Sequence, residues 1–352
     1  MRFTEVFTAL TLAASAVAHP SAPKDKKGLA TAMKARGREF IGTALTLRGN
    51  ETEEAIARNN ADFNSFTPEN AMKWEAIEPN RNNFTFSDAD RYRDWAKANK
   101  KEIHCHTLVW HSQLPPWVAA GNYDNKTLIG IMENHIKNVA GRYKDVCTRW
   151  DVVNEALEED GTYRSSPFYD TIGEAFIPIA FKFAKKYSPK SELFYNDYNL
   201  EYNGNKTLGA KRIVKLVQSY GVHIDGVGLQ AHLAQEVTPT AGALPDQATL
   251  ETVLRGFTSL DVDVVYTEID IRMNTPSTPA KLKTQAKAFE TVARSCLAVK
   301  RCIGMTVWGI SDAFSWIPGV FPGEGAALLW DENLKKKPAY DGFYKGIKGG
   351  KK

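Results

Sequence analysis

After its first eighteen residues the sequence has no run long and apolar enough to span a bilayer, which takes about 20 residues. It has no concentrated basic stripe. With 45 Lys and Arg against 41 Asp and Glu, the formal charge is only +4, and nothing favours nucleic acid as a partner. It also lacks a low-complexity linker, a second domain and a repeated binding module. Outside one His-x-His, at His104 and His106, no His and Asp residues stand at metal-ligand spacing. What remains is a chain of 352 residues, 43% hydrophobic and 24% charged, able to bury a large core. That length exceeds a small module but suits one barrel domain. Its 8 Trp, 13 Tyr and 17 Phe supply flat apolar faces, most of them for the core.

Residues 1–18 open on Met1-Arg2, continue through the apolar stretch Phe7–Val17 and close on Ala16-Val17-Ala18. A basic start, a short apolar segment and an A-x-A end describe a secretory signal peptide rather than a membrane span, so the mature chain is expected to be secreted and extracellular. Residues 19–36, rich in Pro, Ala and Lys, read as an exposed N-terminal segment or short pro-segment, although Leu29–Ala35 also suits the first turns of a helix. Residues 37–347 form the expected barrel domain, and residues 348–352 a basic C-terminal tail.

Across that domain, strand-like and helix-like segments alternate, the pattern of a parallel sheet wrapped by helices. The strands are expected at Glu39–Ala44, Asp62–Thr67, Glu102–Leu108, Thr148–Val153, Glu192–Asn196, Asp225–Gln230, Val262–Ile271 and Gly304–Trp308. Amphipathic stretches between them include Asp88–Asn99, Leu128–Tyr143, Ile172–Lys186, Leu208–Tyr220 and Lys281–Val299. This is an α/β fold, a single-domain (β/α)₈ TIM barrel.

Two of the strand segments end in a glutamate: Trp150-Asp151-Val152-Val153-Asn154-Glu155 and Val264-Val265-Tyr266-Thr267-Glu268. Active sites of such barrels lie at the C-terminal ends of the strands. Two carboxylates converging there suit glycosidic bond cleavage, in which one holds a proton for the leaving oxygen and the other stays ionised. The remaining strand ends carry Glu69, Asn70 and Lys73, His106 and His111, Asn196 and Tyr198, Gln230 and His232, Asp270, and Trp308. These are hydrogen-bonding groups and aromatic faces, the means of holding several sugar hydroxyls. Taken alone, a glutamate at the end of an apolar run is more often a helix cap or an exposed loop charge. Lys73 alone also admits a second reading as an i,i+4 partner of Glu69 on a helix, and His104 reads as a packed histidine.

Four cysteines in a secreted chain invite bridges. Cys296 and Cys302 suit one small loop. Cys105 and Cys147 lie in or before neighbouring strands, where a second bridge and two buried thiols are both open. The acceptor pattern N-x-[ST] occurs at Asn50, Asn83, Asn125 and Asn205.

The stretches WDVVNEAL at 150–157, TPENAMKWE at 67–75, HTLVWHSQLPPW at 106–117, YNDYNLE at 195–201, GLQAH at 228–232, TEID at 267–270 and TVWG at 306–309 resemble, in order, the motifs of glycoside hydrolase family ten. Members are mostly retaining endo-1,4-β-xylanases on a (β/α)₈ barrel. The resemblance implies that Glu155 is the acid/base and Glu268 the nucleophile. It also implies that Asn154 donates to the 2-hydroxyl of the sugar being cleaved and that His232 holds Glu268, with Asp270 behind it. Glu69, Asn70, Lys73, His111 and Gln230 then contact the glycone sugars; Trp110, Trp308 and Trp316 wall the cleft, and Tyr198 stacks on the leaving side. A Cys296–Cys302 bridge is also common in the family. Cys105 departs from the expected glycine, which favours its pairing with Cys147. The implied partners are xylan and xylo-oligosaccharides, acted on by a monomer without metal or cofactor. Three competing functions are a lectin on a dead barrel, a metal-dependent hydrolase using His104 and His106, and a β-1,4-glucanase.

Overall fold

A computed structural model of the chain describes residues 27–349. The expected signal peptide at 1–18, the residues up to 26 and the tail from 350 lie outside the described residues.

Among the described residues, eight parallel strands close into a barrel. They are β1 (Phe40–Leu45), β2 (Ser65–Pro68), β3 (Glu102–Cys105), β4 (Cys147–Asn154), β5 (Glu192–Asp197), β6 (Gly226–Leu229), β7 (Asp263–Asn274) and β8 (Cys302–Val307). Each pairs in parallel with the next, and β8 returns to β1, so no barrel edge is left unpaired. Short runs rich in Val, Ile, Phe and Tyr, buried on both faces, make such strands.

Three short strands add to this frame at its C-terminal end. Val109–Trp110 pairs with β4 so that Trp110 lies opposite Asn154. His232–Ala234 pairs with β7 so that His232 lies opposite Asp270. Glu324–Gly325 runs antiparallel to the end of β7.

Arg149, 2% exposed, sits at the opposite end of the barrel, where it binds Glu39 at 2.5 Å, Glu102 at 3.1 Å and Glu192 at 2.9 Å, one carboxylate from or beside each of three strands. Beside it Phe40, Phe194, Val265 and Ile303 form a compact apolar layer inside the barrel. Next comes a polar layer in which Asp151 accepts from His104 Nε2 at 2.8 Å and His106 Nδ1 at 2.9 Å. Burial acts to raise the Asp151 carboxyl, but the two histidines outweigh it and hold it near 2. The His-x-His pair is thus engaged by a carboxylate within the barrel, and His104 is a packed residue as expected.

Three expectations need correction. Leu29–Lys34 is a helix whose Leu29, Ala30, Ala32 and Met33 are buried, so the barrel domain takes in residues assigned above to an exposed 19–36 segment. Leu29 and Met33 recur at the i,i+4 spacing of one helical face. The Leu29 amide donates to Asp62 Oδ1 at 3.2 Å, the same carboxylate that holds Tyr340 of the last helix, Pro338–Lys348. The expected stretch Ile172–Lys186 is helical only from Phe176, as Phe176–Tyr187; Ile172 ends a separate helix, Pro167–Ile172, which Gly173 closes with a left-handed φ of 75°. The third strand stops at Cys105 instead of running to Leu108. Thr107 Oγ1 and the Leu108 amide both donate to the Asp151 carbonyl, and the chain steps sideways before rejoining β4.

Both cysteine pairs are bridged. Cys296–Cys302 was implied by the resemblance, and Cys105–Cys147 settles the alternative left open between a bridge and two thiols.

Candidate active site

The strand ends open into a cleft of about 980 Å³, at the upper end of ordinary ligand pockets. Glu155 is the first residue after β4 and has a left-handed φ of 55°, a region costly for a residue with a Cβ. Its amide donates to the Asn196 carbonyl at 2.9 Å, and Arg164 Nε donates to its carbonyl at 3.1 Å. The strain turns the side chain out of the pleat into the cleft. There Trp110 Nε1 donates to Oε2 at 2.9 Å and Gln230 Nε2 to Oε1 at 3.0 Å.

Glu268, buried within β7, accepts from Asn196 Nδ2 at 2.8 Å and from His232 Nε2 at 3.2 Å. Asn196 is the hinge of the arrangement. Its Nδ2 also donates to Asn154 Oδ1 at 2.9 Å, and Thr267 Oγ1 donates to its Oδ1 at 2.6 Å. Gly228 makes room for this amide, because a Cβ there would lie 2.3 Å from Asn196 Oδ1. Gln230 Nε2 reaches Asn154 Oδ1 at 3.2 Å as well. The two carboxylates are therefore joined by a chain of three amides, Asn196, Asn154 and Gln230.

His232 Nδ1 donates to Asp270 Oδ2 at 2.8 Å, and Trp316 Nε1 donates to the same oxygen at 2.9 Å. Burial disfavours the imidazolium, but Asp270 and then Glu268 overcome it and raise His232 to about 10. A cation is thus fixed against the carboxylate of Glu268. Trp316 and Trp308 meet the His232 ring edge-on, at centroid distances of 4.9 and 6.2 Å.

On one side of the cleft Lys73, buried, donates to Asn70 Oδ1 at 2.9 Å and to Gln113 Oε1 at 2.6 Å. Desolvation lowers its ammonium pKa, against the pull of Glu268, Glu69 and Glu155. It lies at the start of the short helix Trp74–Ile77 and does not form the helical i,i+4 pair with Glu69; Glu69 instead accepts from Thr46 Oγ1 at 2.6 Å. On the other side Tyr198 is held twice, by Lys206 Nζ 3.2 Å from its ring centroid and by Arg164 Nη2 donating to its hydroxyl at 2.7 Å. Lys206 is itself fixed by Asp197 at 3.1 Å and Glu159 at 3.0 Å.

Of the residues expected at the site, the cleft wall brings together Glu69, Asn70, Lys73, Trp110, Glu155, Tyr198, Gln230, His232, Glu268, Trp308 and Trp316. Asn154 and Asp270 lie directly behind them. His111 does not join them. It packs behind Trp110 in a small void with Val109, Arg164, Phe168 and Phe176, and burial lowers its imidazole pKa. The cleft histidine on this segment is His106, whose ring meets Trp308 edge-on at 5.5 Å. The short strand Val109–Trp110 ends at Trp110, and the chain bends at His111 so that its ring packs behind Trp110 instead of entering the cleft. Gln113, absent from the expected set, anchors Lys73; its signal was its place three residues beyond Trp110 in the same motif. Among the described residues no cluster of three or more His, Cys, Asp or Glu side chains is placed to hold a metal ion.

A family model described as glycosyl hydrolase family 10 matches residues 28–345. An endo-1,4-beta-xylanase 2 of Aureobasidium pullulans is 61% identical over all of both chains. An endo-1,4-beta-xylanase 1 of Gibberella zeae is 58% identical over 90% of each chain. The crystal structure of a GH10 xylanase from Bispora sp. MEY-1 with xylobiose superposes with a TM-score of 0.85 at 38% identity, covering 91% of this chain and 99% of that one.

Proposed function

The chain belongs to glycosyl hydrolase family 10, and from that premise we infer that it is an endo-1,4-β-xylanase that cuts internal bonds of xylan with retention. The observation that carries the reading is the joining of Glu155 and Glu268 across one cleft through Asn196, Asn154 and Gln230. Glu268, between the Asn196 amide and the His232 cation, attacks the anomeric carbon and forms a glycosyl ester. Glu155 gives its proton to the departing sugar oxygen, then takes one from the water that hydrolyses the ester. Asn154, whose side-chain amide also reaches Glu155 Oε1 at 3.4 Å, is available to the 2-hydroxyl of the sugar being cleaved. Lys73, Asn70 and Glu69 bind glycone hydroxyls, Trp308 and Trp316 wall that end, and Tyr198 bears the leaving sugar.

In this reading the chain is secreted behind a signal peptide at 1–18 and works as a monomer on xylan and xylo-oligosaccharides. Among the described residues no helix is long and apolar enough to cross a membrane. The acceptors Asn83, Asn125 and Asn205 are exposed, and so are open to glycosylation. Asn50 is only half exposed, and its Oδ1 caps a helix by accepting from the Glu53 amide at 3.0 Å.

The test is a parallel digestion of xylan and soluble cellulose, with product chain lengths read by chromatography. Short xylo-oligosaccharides from xylan, with cellulose left largely intact, are expected. Binding to xylan without cleavage would overturn the assignment.

A further inference from the structure

Gln230 holds Glu155 and His232 holds Glu268, so the two catalytic carboxylates are served by residues on either side of one alanine. Ala231 has a left-handed φ of 60°, unfavourable for a residue with a Cβ, and this turn is what sends its two neighbours into the cleft. Both ends of the Ala231 residue are pinned. Its amide donates to Glu201 Oε1 at 2.7 Å, and its carbonyl accepts from the Asp270 amide at 3.3 Å. Glu201 stands in the single turn Leu200–Tyr202, between Asn199 and Asn203, which both adopt left-handed φ values near 55–58°. Asn tolerates that conformation better than most residues. The turn thereby drives an acidic side chain wholly into the interior, where it is 0% exposed.

We propose that Glu201 is a positioning residue for both half-reactions, acting through the Ala231 amide to hold Gln230 on the acid/base and His232 on the nucleophile. It touches no substrate. The inference rests on the roles given above to Glu155 and Glu268. Its second oxygen, Oε2, is buried without a hydrogen-bond partner, so reach to one amide, and not charge pairing, is the service it renders. Burial pushes its carboxyl up to about 7, offset in part by the amides of Glu201 and Ala231. A neutral acid keeps Oε1 as an acceptor.

Two variants separate reach from charge. Glu201→Gln keeps an acceptor oxygen at the same distance and removes the charge; Glu201→Asp keeps the carboxyl and withdraws it by one methylene. Each is assayed on xylan and on an aryl β-xylobioside, with kcat and KM resolved, beside near-UV circular dichroism. The expected result is a Gln variant within about threefold of the unmodified enzyme. The Asp variant should lose at least about tenfold in kcat on both substrates, with KM within about threefold and the near-UV spectrum retained. Equal losses in the two variants, an Asp variant of full activity, or a kcat loss that tracks loss of the near-UV signal would each overturn the proposal. The unmodified enzyme in the same assay keeps the questions apart, because its failure to cleave xylan would count against the function and not against Glu201.

Discussion

His232 Nε2 lies 3.2 Å from Glu268 Oε2 while its other ring nitrogen donates to Asp270 at 2.8 Å, so one imidazole is bound at both ends by carboxylates. Its folded value, about 10, lies far above the ordinary histidine value of about 6.5. A pKa raised on folding adds stability that is complete below the unfolded value and is lost as pH climbs through the folded one. The thermal midpoint should therefore fall between about pH 6.5 and pH 10. In His232→Asn that slope should flatten and kcat should drop. A slope of the same size in the variant would remove His232 as its source.

The roles of the two glutamates make separable predictions. Glu268→Ala should lower turnover by on the order of 10⁴-fold, and azide should restore cleavage of an aryl β-xylobioside to give the inverted α-glycosyl azide. Glu155→Ala should lose about 10²- to 10⁴-fold on xylan but much less in the first step on a substrate with a good leaving group, which needs no proton. Full activity of Glu268→Ala, or equal losses of Glu155→Ala on both substrates, would reverse the assignments.

The barrel was legible because its strands are short apolar runs at regular intervals, and the meeting of Glu155 and Glu268 in one cleft because each glutamate ends such a run inside a longer motif. What stayed hidden was set by backbone geometry. His111 was expected to contact the glycone beside a Trp110 wall, yet the short strand ends at Trp110 and the bend after it leaves His106, Trp110 and Gln113 on the cleft with His111 behind. The left-handed turns at Glu155 and Ala231 leave no periodic trace, since each depends on hydrogen bonds to residues far away in sequence. Leu29 and Met33 carried the helical spacing, but the Lys- and Pro-rich residues before them left Leu29–Ala35 open between an exposed lead-in and the first turns of a helix.

Tyr198 is fixed by Lys206 against its ring and Arg164 on its hydroxyl, and in the proposed function it bears the leaving sugar. Tyr198→Ala should lower kcat/KM on xylan about fivefold, equivalent to ~1 kcal/mol of aromatic contact. An aryl β-xylobioside, which places no sugar there, should be hydrolysed at close to the original rate. Equal losses on both would mean that the ring supports the acid/base or the glycone side.

The two bridges close loops of very different length. Cys105–Cys147 spans 42 residues and joins the end of β3 to the start of β4, whereas Cys296–Cys302 spans 6. If constraint of the unfolded chain dominates, the longer loop is worth about 4 kcal/mol and the shorter about 2 kcal/mol. Replacing each pair by alanine, with denaturant midpoints compared under oxidising conditions, should show the Cys105/Cys147 variant to be the weaker by a clear margin. Its turnover at 25 °C should survive, because His106, one residue beyond the bridge, is still held by Asp151 at 2.9 Å. A Cys296/Cys302 variant that lost as much or more would show that the short bridge acts through the folded state, by fixing the turn from the preceding helix into β8, and that loop length is not what governs stability here.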